Sequence, residues 1–244
     1  MPRKSRLLIA TLLVALLASL YANYRLLNRG IADYTDAQAI RLDPYNLGYF
    51  DGEKDKTYAH PLVVFYGDSR VAQWPAPNVP GLTFANRGIG NHSSAQILGR
   101  FDAHLRPLNP DVVVLQLGIN DLKGIPVLPE RKAQIIANLK ANITEVVQRS
   151  RAMGARVILT TIFPTANAVP LERRPVWSDE VNVGVREVNE HIRALAGEGV
   201  IILDAYVLLS DEQGFVTPEY SQDLLHANAR AYEVLNSELV KLLQ

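Results

Sequence analysis

An α/β fold, a parallel sheet wrapped by helices on both sides, is predicted by three observations. Short β-branched apolar runs alternate with longer segments of helical period. The runs are apolar throughout, as strands buried on both faces require. Nearly half of the 244 residues are apolar, enough for a sizeable core in one medium domain with an appendage.

The appendage comes first. Arg3, Lys4 and Arg6 precede an almost unbroken apolar run from Leu7 to Ala22. As a helix this run is roughly 24 Å long, short of the roughly 30 Å hydrocarbon core. A cleavable signal ends in small residues at −3 and −1. Here the candidates Leu20 to Ala22 and Leu16 to Ala18 place leucine at −3. Tyr21, Tyr24, Arg25 and Arg29 suit an interface. Residues 1–24 are therefore expected to be an uncleaved signal anchor with its amino end in the cytoplasm. The catalytic domain then lies on the extracytoplasmic side, or is secreted if the anchor is cut. Residues 25–60 read as a juxtamembrane linker, and regular patterning begins at Pro61, opening a domain over 61–244.

Four strands are predicted at Leu62–Tyr66, Val112–Leu117, Val157–Thr161 and Val200–Leu203, with Leu82–Ala85 a weaker fifth. Helices are predicted over roughly 93–105, 130–153, 178–196 and 227–242. In the second of these, Ile135, Ile136, Leu139, Ile143, Val146 and Val147 recur at helical spacing, and Ser178 supplies a cap for the third. Right-handed crossovers bring the carboxyl ends of the strands, and the loops leaving them, to one rim.

The 25 basic and 25 acidic residues cancel, so there is no electrostatic footprint for nucleic acid. The chain has no cysteine, which excludes disulfides, thiolate zinc sites and cysteine nucleophiles. None of the five histidines makes a metal-ligand pattern with nearby carboxylates, so no catalytic metal is expected.

Chemistry-bearing residues fall in four islands. Ser69 follows the first strand through Gly67 and Asp68, near a helix start where backbone N–H groups stabilise negative charge. Taken alone, this tripeptide is better explained as a helix cap. Asn86 to Ser94 is a Gly/Asn-rich turn. Asn120 leaves the Val112–Leu117 strand after Gly118, where a side-chain amide can donate to a developing oxyanion, although Gly-x-Asn-Asp is also ordinary turn chemistry. His226 lies three residues after Asp223. In a tight turn the carboxylate can reach Nδ1 and leave Nε2 to take a proton from a serine, while a surface Asp/His pair at a helix start is the plain alternative.

As a set in this order, the islands resemble the SGNH/GDSL hydrolase family over about residues 61–243. The resemblance implies a flavodoxin-like three-layer α/β/α sandwich with a five-stranded parallel sheet. It makes Ser69 the nucleophile, His226 the base, Asp223 its orienting partner and Asn120 an oxyanion donor. The Ser69 N–H and a backbone N–H of the second block complete the oxyanion hole. Aligned without gaps, the family glycine falls on Asn91, with Gly90 one position early; asparagine tolerates left-handed backbone, which favours Asn91. Arg70 replaces a commonly apolar residue and reads as a structural surface ion pair or a contact to polar substrate.

The expected activity is hydrolysis of short acyl or O-acetyl esters on a glycan, or of a lipid ester, without a cofactor. The proline-rich segment 163–177 shapes the pocket, and the membrane is a partner through the N-terminal helix. Acyl transfer to a cell-envelope glycan and lysophospholipase or thioesterase activity use the same residues. A non-catalytic glycan-binding domain is the alternative of a different class.

Overall fold

The computed structural model describes residues 2–244. They fall into two compact units, one ending at Asn46 and the other spanning Leu47–Gln244.

The first unit is essentially one helix, α1 (Arg3–Leu42), with no buried residue. Its most apolar 18-residue window has mean hydropathy 1.9, long and apolar enough to cross a membrane. The helix continues through 25–42, positions assigned from sequence to a linker. Apart from Gly30 that stretch lacks helix breakers, and Pro44 closes it.

The second unit is built on five parallel strands: β1 (Leu62–Gly67), β2 (Thr83–Gly88), β3 (Val112–Gln116), β4 (Arg156–Thr160) and β5 (Val200–Leu203). Their order is β2-β1-β3-β4-β5. The chain steps from β1 outward to β2, then returns to β3 on the other side of β1. The loops leaving β1 and β3 therefore diverge, and the crevice at this switch point is where open α/β sheets bind ligands.

Alternate side chains along each strand face opposite layers. Leu62, Val64, Tyr66, Val113, Leu115, Val157 and Leu159 pack in one core. That face is covered by α3 (Ser94–Gly99), α4 (Phe101–His104), α6 (Lys132–Ala152) and α7 (Glu180–Ala194). Val63, Phe65, Val112, Val114 and Ile158 pack in the other core. There α2 (Ser69–Ala72), α8 (Ala205–Leu209) and α9 (Ala229–Leu243) complete a three-layer sandwich. A further short helix, α5 (Ile119–Leu122), follows β3.

Three features depart from the pattern-based expectation. β2 runs three residues past Ala85, because Asn86, Arg87 and Gly88 pair with Phe65, Tyr66 and Gly67. The Asn86 amide donates to Val71 O at 2.8 Å, and Arg87 is buried against Glu53 at 3.0 Å with its guanidinium 4.4 Å from the Phe50 ring centre. Residues 47–60 thus fold with the sheet. The helix expected over 93–105 breaks at Arg100, whose buried guanidinium turns inward to donate to Gly67 O at 2.7 Å and Arg87 O at 2.9 Å.

Arg70 is the third departure: it is wholly buried and makes no surface ion pair. Its Nε and Nη2 donate to Leu225 O at 3.0 and 2.8 Å, and Nη1 donates to Phe163 O at 3.1 Å. The guanidinium lies 5.1 Å from the Phe163 ring centre, and the Arg70 carbonyl accepts from the Tyr232 hydroxyl at 2.8 Å. Arg70 thereby joins β1–α2 to the exit of β4 and to the loop before α9. An unsatisfied buried polar group costs about 1–3 kcal/mol. Arg70→Met strands two carbonyls, so urea unfolding is expected to show a loss of about 2–5 kcal/mol; an unchanged midpoint contradicts this role.

Asp68 caps α2 by accepting from Arg70 N at 2.9 Å, and is itself wholly buried. Burial pushes its carboxyl up to about 6, against the pull of Arg70 and of the Arg70 N–H. A folded-state value above the ordinary 3.8 means that the folded protein holds a proton the unfolded chain has lost. The stability from this proton is complete below pH 3.8 and lost as pH rises through about 6. Asp68→Asn is expected to flatten the curve of unfolding free energy against pH in that window, by about 3 kcal/mol overall. A mutant curve parallel to wild type, in urea titrations across the window, refutes this.

Candidate active site

Ser69 sits at the first position of α2, immediately beyond the end of β1. The sharp exit from β1 depends on Gly67: a Cβ there would lie 1.8 Å from Gln116 O on the neighbouring strand. Only glycine allows β1 and β3 to approach so closely at this point.

Asp223 and His226 form a closed turn before α9. Asp223 Oδ1 accepts from the N–H groups of Leu225 and His226 at 2.7 and 2.8 Å. Its Oδ2 lies 2.8 Å from His226 Nδ1, and His226 Nε2 lies 3.1 Å from Ser69 Oγ. The side chains of residues 69 and 226, 157 positions apart, are thus brought together. Burial raises the Asp223 carboxyl, but hydrogen bonds from His226 and the two N–H groups outweigh it and hold the group below its ordinary range. An ionised carboxylate only accepts, so Nδ1 carries a hydrogen, and in the neutral form of the ring Nε2 can then accept from the serine hydroxyl.

The Asn120 amide donates to His92 O at 2.9 Å, so the start of α5 is tied to the turn after β2. Asp121 strengthens that tie, accepting from Ser94 N at 2.8 Å and Ser94 Oγ at 2.6 Å. In the same turn Asn91 adopts left-handed backbone with φ 63°. Gly90 lies against the serine: a Cβ on it would be 3.9 Å from Ser69 Cβ. Of the two second-block candidates, Gly90 is the one in contact range of Ser69, and Asn91 follows it directly in the turn.

A cleft of about 420 Å³ opens beside His226. Its walls include Leu224, Leu225, Val176 and Trp177, with Lys123 and Arg173 as cations. The 163–177 segment supplies one side, since Pro170, Glu172 and Arg173 also line the cleft. One lining residue carried no signal as a site residue in the sequence: Lys123 follows α5 without any motif of its own. Arg70, read from sequence as a surface ion pair or a substrate contact, instead secures the His226 loop through a backbone carbonyl.

A hydroxyl hydrogen-bonded to a neutral imidazole, which is itself held by an ionised carboxylate, can lose its proton as it attacks a carbonyl carbon. Among the described residues no group of three or more His, Cys, Asp or Glu side chains is arranged to hold a metal ion.

The model of the GDSL-like Lipase/Acylhydrolase family matches residues 64–234, most of the chain. No curated protein matches the sequence. Among solved structures the chain is similar to a candidate acylhydrolase of Bacteroides fragilis, at 23% identity and TM-score 0.67, covering 82% of this chain and 97% of that one. A GDSL-like lipase of Bacteroides thetaiotaomicron superposes with TM-score 0.62 at 20% identity, again over 82% and 97% of the two chains. A catalytic mutant of an acetylxylan esterase of Geobacillus stearothermophilus superposes with TM-score 0.54 at 16% identity, over 76% and 95%. By the extent of the family match, with strand order and block order in agreement, the chain belongs to the GDSL-like lipase/acylhydrolase family and is a hydrolase of ester bonds.

Proposed function

We propose that the protein is a serine esterase acting on short acyl or O-acetyl esters through an acyl-enzyme on Ser69. The observation that carries this reading is the continuous relay from Asp223 Oδ2 through His226 to Ser69 Oγ, at 2.8 and 3.1 Å. His226 takes the Ser69 proton as the oxygen attacks the ester carbonyl. The oxyanion accepts from the N–H groups of Ser69 and Asn91 and from the Asn120 amide, whose orientation the bond to His92 O fixes. The tetrahedral intermediate collapses, His226 protonates the departing alcohol, and the same imidazole then activates water to release the acid.

A short acyl group is favoured by the compact cleft, which the proline-rich 163–177 segment bounds on one side. The acetylxylan esterase of the same fold points the same way. In this reading α1 is a retained membrane anchor. Arg3, Lys4 and Arg6 flank its apolar stretch, and basic residues favour the cytoplasmic side, which sets the hydrolase domain on the extracytoplasmic face.

With p-nitrophenyl acetate as substrate, Ser69→Ala is expected to abolish turnover and fluorophosphonate labelling in a protein that stays folded. Asn120→Ala is expected to lower kcat by about 10²–10³ with labelling at Ser69 retained. Wild-type turnover in the serine variant overturns the assignment. For the anchor, immunoblots of washed membranes are expected to hold the full-length chain, accessible to protease only from the extracytoplasmic side. A shortened, freely soluble product means cleavage instead.

A further inference from the structure

Resting on the serine-esterase reading, we propose that Lys123 and Arg173 form an anion subsite in the cleft beside His226, and that the preferred ester carries an anionic oxygen group, a carboxylate or phosphate, close to the scissile bond. Lys123 directly follows α5, which carries Asn120, and its Nζ donates to Asn91 Oδ1 at 3.3 Å. The half-buried ammonium therefore lies where the second and third blocks meet. Arg173 reaches the same cleft from the 163–177 segment. Among the described residues neither cation has a salt-bridge partner.

That pairing is unfavourable in the empty cleft. Burial pushes the Lys123 ammonium down, Asp68 pulls it back up, and both Arg173 and Arg70 push it down again. A partly desolvated cation beside like charges gains from a nearby anion far more than a solvated lysine does. Two carboxylates share the cleft, and neither fills this role. Asp223 is engaged by His226 and two backbone N–H groups. Glu172, next to Arg173 in the chain, is exposed and makes no salt bridge with either cation. The ammonium supplies a point charge, and the guanidinium supplies a planar fork suited to carboxylate or phosphate oxygens. Trp177 and Val176 offer an apolar wall for the rest of the ligand.

The test uses the full chain in detergent and two matched substrate pairs. One pair places the charge on the acyl side: p-nitrophenyl hydrogen adipate against its neutral methyl ester. The other places it on the alcohol side: 4-acetoxybenzoate against 4-acetoxybenzamide. At low salt, kcat/KM is expected to favour the anionic member of one pair by about tenfold, and that pair identifies which side of the ester bears the charge. The preference is expected to shrink as salt rises. It should fall close to unity in Lys123→Met/Arg173→Gln and persist in Lys123→Arg. Equal or neutral-favouring kcat/KM in both pairs, or a preference that survives the double substitution, overturns the subsite. Fluorophosphonate labelling of Ser69 in every variant separates the two readings. Labelled enzyme without anionic preference removes the subsite alone, whereas wild-type enzyme that never labels removes the esterase reading beneath it.

Discussion

The site depends on a guanidinium that never meets solvent. Arg70 follows Ser69 directly, and three of its N–H groups end on the carbonyls of Leu225 and Phe163. Leu225 is the residue before His226, so one side chain fixes the distance between the hydroxyl at the end of β1 and the imidazole near the end of the chain. The hydrogen bond from Ser69 Oγ to His226 Nε2 spans the same gap at its solvent edge. Charge-assisted bonds to backbone suit this task, since a carbonyl reports the path of the chain and not the rotamer of a side chain. Arg100 works similarly on the other side of β1, holding the Gly67 carbonyl from below α3. The serine thus leaves a strand whose exit is braced from both layers of the sandwich.

Two carboxylates stand near this serine, and their surroundings divide their roles. Asp223 is half exposed and receives three hydrogen bonds, so it remains ionised and fixes the imidazole tautomer. Asp68 has no access to water and only one partner for Oδ1, and burial moves its carboxyl toward neutrality. The same functional group is a permanent charge in one place and a helix cap in the other. Adjacency to the serine in sequence would have suggested the opposite division.

Much of the fold was legible because it rests on local pattern. β1, β3, β4 and β5 are nearly unbroken apolar runs, and the long helices after β3 and β4 show plain helical period. The spacing of Asp223 and His226 allows the carboxylate to reach the imidazole in a tight turn, and asparagine at 91 tolerates the left-handed backbone found there. What escaped was set by partners distant in the chain. Asn86, Arg87 and Gly88 are poor strand formers, yet they extend β2, where Val71, Glu53 and Phe50 satisfy the Asn86 and Arg87 side chains. Arg100 breaks a helix that periodicity would have continued. Residues 47–60 lack any repeat and fold with the domain through those same arginine contacts. Arg70 carries a charge, which ordinarily signals surface, and only the fold reveals that its acceptors are buried carbonyls.

The location of His226 in the chain links enzyme activity to protein synthesis. β1, β2 and β3 can pair once residue 116 has emerged, but Ser69 has no imidazole beside it until the segment around 223–226 exists. That segment is secured only when Leu225 meets Arg70 and when Tyr232, Leu235 and Leu239 of α9 fill the second core. A growing chain therefore carries Ser69 without its histidine neighbour until almost the last residues are made.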